Sequence, residues 1–147
     1  MFFKCLKYIH INRDYSTKEE INKLIDDKIE EGGTKLILTS AKLGDIGEKL
    51  LADEFKNEKL KKLTRLYLNE CNIGEEGIKS ITKELFHLES LERLILSFNN
   101  FGSNGGIALA NGLSKLTSLQ ELYLLDNNLG PYASIAIVNE IDVRKLM

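Results

Sequence analysis

Two histidines, His10 and His87, and two cysteines, Cys5 and Cys71, are the residues of this chain best suited by type to metal or nucleophilic chemistry. A bound transition metal needs several such ligands converging on one point. Neither histidine has a cysteine or carboxylate at ligand spacing, so solvated or structural roles are expected and no metal is. Cys5 has no histidine or basic cluster near it in sequence to lower its pKa, which argues against a nucleophile. Glycines at 74, 77, 102, 105, 106 and 130 invite a phosphate-loop reading, but no Gly-Lys-Ser/Thr follows any of them. The Asn-Asn pairs at 99–100 and 127–128 lack the acids of a calcium loop. No catalytic residue and no cofactor is therefore expected.

The chemistry that remains is recognition. Arg65, Tyr67, Asn69, Arg93, Ile95, Phe98, Glu121, Tyr123 and Leu125 recur around a repeated apolar frame, and tyrosine and arginine are over-represented where protein interfaces concentrate their energy. Aromatic and β-branched residues also favour strands through β-propensity alone. The choice between these readings depends on the elements that carry them.

Three stretches superpose without a gap: Leu63 to Gly74, Leu91 to Gly102 and Leu119 to Gly130, at a step of 28 residues. Each reads L-x-x-L-x-L-x-x-N/C-x-L. The pairs Leu66/Leu68, Leu94/Leu96 and Leu122/Leu124 alternate as a short strand with one buried face does. Cys71, Asn99 and Asn127 follow as an inward-turning ladder that bonds to loop backbone. Asn128, one step outward, is expected to be dispensable.

Apolar residues four apart then mark a helix, at Ile81 and Leu85 and again at Leu109 and Leu113. Each unit is thus strand, turn, helix and return loop, and only stacking buries its apolar side. A fourth unit lies upstream at an offset of 30, with Leu36 and Leu38 on its strand and Ala41 in the ladder slot. Its two extra residues fall near Lys56 to Lys59, in a charge run expected to be solvated, where lengthening a loop costs little.

A capping box from Ser16 to Glu19 is expected to open a helix running to about Glu31, with Ile21 and Ile25 inward and a polar outer face, as befits a terminal cap. At the other end a helix from about Pro131 to Ile141 carries Ile135, Ile137, Val138 and Ile141, with no polar unit after it. That predicts either self-association through the last repeat or a short helix, Asp142 to Met147, folded back as a lid. The expected organisation is one domain over 1–147, with a degenerate cap at 1–32 and units at 33–62, 63–90, 91–118 and 119–147, leaving no room for an attached catalytic domain.

The repeat pattern, with its G-x-x-G-x-x-x-L-x-x-x-L second half, resembles the ribonuclease-inhibitor-like class of leucine-rich repeats. That class includes ribonuclease inhibitor, the arrays of NOD-like receptors and Ran GTPase-activating protein. The resemblance implies a right-handed α/β horseshoe segment, with a parallel sheet on the concave face, helices on the convex face, and a protein partner on the sheet. It also raises a second reading, regulation of a small GTPase, for which Arg65, Arg93 and Asn69 are the residues to consider. A third reading is a building block that assembles with itself.

Composition agrees with the first of these. The net charge is −2, with 29% charged residues, which disfavours nucleic acid as a partner. No run approaches the roughly 18 apolar residues of a membrane span, and Lys4 and Lys7 interrupt the apolar start where a signal peptide is unbroken. Two cysteines, one of them in a ladder slot, form no disulfide framework, and a cytoplasmic location is expected.

Overall fold

The computed structural model describes residues 15–145, with side chains to residue 141; Cys5, His10 and the Lys4/Lys7 segment lie outside that range. Helix α1 (Lys18–Lys28) leads into four strand and helix units. These are β1 (Lys35–Ile37) with α2 (Gly44–Glu54), β2 (Arg65–Tyr67) with α3 (Glu75–Glu84), β3 (Arg93–Ile95) with α4 (Gly102–Leu113), and β4 (Glu121–Tyr123) with α5 (Gly130–Lys145). The strands form one parallel sheet in the order β1-β2-β3-β4. This is the α/β solenoid that the repeat step predicts.

Register follows the repeat. Leu36, Leu66, Leu94 and Leu122 align across the sheet, and the first three are fully buried. One residue further along each strand, the ladder continues through backbone bonds from Leu38, Leu68 and Leu96 N–H to Tyr67, Ile95 and Tyr123 C=O, at 2.8–2.9 Å. On the other layer, glycines let the helices approach. A Cβ on Gly105 would stand 2.7 Å from the Ile78 side chain of the preceding helix, closer than packed atoms tolerate.

The cap forms as expected in kind but one residue later. Thr17 is the N-cap, its side chain accepting from Glu20 N–H, while Glu20 Oε2 accepts from the backbone of Thr17 and Ser16. The expected Ser16 to Glu19 register is corrected because Glu20, not Glu19, stands at the third helical position. The helix ends at Lys28 rather than Glu31: Ile29 leaves it to make an antiparallel bridge with Leu36, covering the outer edge of β1. The charge run is not simply solvated. Lys59 reaches back to Asp26 Oδ1 at 2.8 Å and Asn22 Oδ1 at 3.3 Å, and residues Glu58–Leu60 form a short 3-10 turn, tying α1 to the body.

The far end is open. Ala52, Thr82 and Ala110, at one repeat position on α2, α3 and α4, are covered by the helix that follows, whereas their counterpart Val138 is 53% exposed. Leu122, Leu124 and Leu129 are likewise only partly buried. The separate terminal helix expected over Asp142 to Met147 is not present: α5 continues unbroken to Lys145, with residues 146–147 outside the described range.

Candidate functional site

Alternation along each strand buries the leucines and turns the intervening residues to the open face of the sheet. Pairing then fixes them in rows. Lys35, Arg65, Arg93 and Glu121 align across the four strands, as do Ile37, Tyr67, Ile95 and Tyr123. Six of the candidate recognition residues therefore share one surface, with Tyr123 and Arg65 exposed and Ile95, Tyr67, Arg93 and Glu121 half-buried.

The downstream rows are more constrained than alternation suggests. Ser97, whose repeat counterparts are Asn69 and Leu125, is buried, and its Oγ accepts from Leu125 N–H at 3.2 Å. Asn69 is engaged by the Thr39 hydroxyl, which donates to its Oδ1 at 2.9 Å. Leu125 is exposed. The next row, Ser40, Glu70, Phe98 and Asp126, stands wholly in the left-handed region, with φ between 54° and 62°. Such a φ is costly for a bulky side chain such as phenylalanine. The first three of these turns are held by the repeat beside them, because Ser40, Glu70 and Phe98 N–H donate to the C=O of Asn69, Ser97 and Leu125. The outcome is Phe98 pushed out into solvent beside Leu125.

Electrostatics join the last two strands. Arg93 Nη2 donates to Glu121 Oε1 at 2.5 Å, and Tyr123 Oη donates to Glu121 Oε2 at 2.8 Å. The Arg93 guanidinium and the Tyr123 hydroxyl hold the Glu121 carboxyl below its usual range, and the carboxylate in turn pushes the Tyr123 phenol up. Lys35 lies over the Tyr67 ring at 5.5 Å and pairs with Glu30. Of the residues considered for a GTPase-directed reading, Arg93 and Asn69 are thus engaged within the sheet, and the Arg65 side chain makes no hydrogen bond or ion pair among the described residues.

The ladder beneath this face holds the turns. Asn99 Oδ1 accepts from Cys71 and Ile73 N–H, both at 3.0 Å, and its Nδ2 donates to Leu68 and Leu96 C=O at 2.9 and 2.8 Å. Cys71 Sγ donates to Leu38 C=O at 2.9 Å, and burial pushes the thiol up to about 12, so it remains a neutral donor and no nucleophile. Asn127 Nδ2 bonds Leu96 and Leu124 C=O, yet its Oδ1 finds no acceptor role. Asn128, expected to be dispensable, has φ 54°, a conformation asparagine tolerates better than most residues. His87 Nε2 lies 3.3 Å from Glu84 Oε2, and its ring packs on Phe86.

One buried group has no counterpart in the sequence reading. Glu48, on α2, is 1% exposed and its Oε2 has no hydrogen-bond partner. It fills the notch over Gly77 that Ile78 fills over Gly105 one unit later. Alignment of position 48 with the apolar Ile78, 30 residues on, was the available signal.

Two segments, residues 59–81 and 87–110, match the family model described as Leucine Rich repeat. They begin one 28-residue step apart and each covers a strand and much of the helix after it, in the second and third units. Among curated proteins none matches the chain. No helix among the described residues is long and apolar enough to cross a membrane. Repeats of this kind generally mediate protein–protein interaction, and matched segments and observed units agree in period and content: the chain is built as a solenoid of leucine-rich repeats.

Proposed function

We propose that this chain is a non-enzymatic interaction module that binds a protein partner on the open face of its sheet. The reading is carried by one observation. Arg65, Tyr67, Arg93, Ile95, Phe98, Tyr123 and Leu125 share a surface on which large apolar groups stand in water, with Tyr123, Phe98 and Leu125 exposed. Solvent-facing aromatic and arginine side chains on a rigid sheet are the material of interface anchors. Four strands at about 4.8 Å make a strip only about 15 Å across, which suits a modest contact or a peptide segment rather than a wrapped globule.

In repeat length and helix pattern the chain resembles the ribonuclease-inhibitor-like class. A free, neutral Cys71 fits a reducing compartment, and we place the protein in the cytoplasm on that basis. The test is binding of a captured partner to wild type and to Tyr67→Ala/Tyr123→Ala. Removing central anchors is expected to cost at least about 2 kcal/mol, roughly thirtyfold in affinity. Unchanged affinity in a folded double variant refutes the face.

A further inference from the structure

The row at the leading edge of the sheet is unbalanced in charge. Lys35, Arg65, Arg93 and Glu121 stand side by side on neighbouring strands, at intervals of about 4.8 Å. Two of the three cations are matched: Lys35 Nζ lies 2.9 Å from Glu30 Oε1, and Arg93 Nη2 lies 2.5 Å from Glu121 Oε1. Arg65 stands between them, exposed; its backbone N–H donates to Thr34 C=O, and its guanidinium makes no hydrogen bond or ion pair among the described residues. Its charge helps Arg93 hold the Glu121 carboxyl down. Like charges facing one another on adjacent strands are destabilising, so an arginine flanked by cations on both sides brings the isolated fold no gain.

Next to this row lies the apolar one, Tyr67, Ile95 and Tyr123, with Phe98 and Leu125 further on. Beyond them the charge reverses, with Glu70 and Asp126 exposed at the far edge. We propose that the face docks an acidic segment of its protein partner, with a carboxylate held at Arg65 beside Arg93 and apolar side chains resting on Tyr67, Ile95 and Tyr123. This rests on the interaction face proposed above and adds the chemistry of what binds there. The fork of a guanidinium suits a planar carboxylate. The acids at the far edge repel a uniform polyanion and orient a segment whose own acids lie on one side, which favours a peptide over a nucleic acid.

Fluorescence anisotropy with labelled peptides tests this. The probe alternates Glu with Leu, and its control carries Gln in place of Glu. The Glu peptide is expected to bind wild type at least about tenfold more tightly than the Gln peptide at low salt, with the gap closing as salt rises. Arg65→Gln, an exposed change that leaves the circular dichroism spectrum intact, removes the gap, whereas Lys62→Gln, exposed and off the strands, keeps it. Equal binding of the two peptides, absence of binding by the Glu peptide, or a gap untouched by Arg65→Gln overturns the proposal. Oligothymidylate binding as well as the Glu peptide overturns the choice of a peptide. If the Gln peptide binds equally and Tyr67→Ala/Tyr123→Ala abolishes both, the acidic preference fails while the face stands. Peptide binding that no sheet substitution alters defeats both.

Discussion

Glu48 makes the fold sensitive to pH in a direction opposite to the usual carboxylate. Burial, with the charge of Asp45 a turn away adding to it, pushes its pKa from 4.5 up to about 7. Cys71 is the other titratable group close enough to feel Glu48, and it stays neutral throughout. Since the folded state holds the Glu48 proton more tightly than the unfolded one, the contribution of this group to stability is fully present below pH 4.5. It falls as pH rises toward 7 and then levels off. At 1.36 kcal/mol per pH unit, the loss amounts to about 3 kcal/mol. The Glu48→Gln variant mimics the protonated acid at all pH values. It is expected to match wild type near pH 4 and to exceed it by about 3 kcal/mol at pH 8, or roughly 10 °C in Tm for a chain of this size. Glu20, Glu75 and Glu121 are held low by their partners, so their effects fall below pH 4.5 and cancel in the difference between the two proteins. Urea unfolding of both proteins across pH 4–8 is the assay. Profiles that run parallel within about 0.5 kcal/mol, the level of an ordinary surface change, would show that Glu48 is ionised at no cost and would refute the reasoning.

The ladder should be graded. Asn99→Ala strands two buried N–H groups and the Leu68 C=O, while Leu96 C=O keeps its bond from Asn127 Nδ2; it is expected to cost more than Asn127→Ala, which strands the Leu124 C=O, each group counting for about 1–3 kcal/mol, and equal losses in urea unfolding would contradict this. Asn128→Ala should cost roughly 1 kcal/mol through its left-handed backbone while Asn128→Gly costs less, and a neutral alanine variant would remove that explanation. The open end should exchange amide hydrogen faster in β4 and α5 than in β2 and α3, and we expect concentration-dependent self-association in sedimentation that Val138→Glu suppresses; a strict monomer with uniform protection would contradict both.

The repeat was legible because it is written several times. Leucines at fixed spacing must share one buried side, and the step of 28 residues dictates that their strands lie next to one another in register, so the sheet rows follow from counting. What could not be counted depended on local backbone geometry. Ser97 is buried where Thr39 and Leu125 of the same row are exposed, because its short hydroxyl accepts from Leu125 N–H of the next strand, a contact that period-two alternation does not contain. The capping box slipped by one position because Ser16 and Thr17 are both competent caps and only the position of Glu20 decides between them. Glu48 was hidden because a glutamate at a helix position reads as surface. Its burial becomes visible only when Gly77 on the next helix is seen to leave the space for it.

Site-specific photocrosslinking tests the central claim most directly. Benzoylphenylalanine placed at Tyr123 or Phe98 on the open sheet should capture the partner, and the same group at Tyr132 or Ile46 on exposed helix positions should not. Adducts confined to the sheet positions are the expected result. Equal or greater yield from the helix positions would place the partner on the opposite face and contradict the proposed mode of binding.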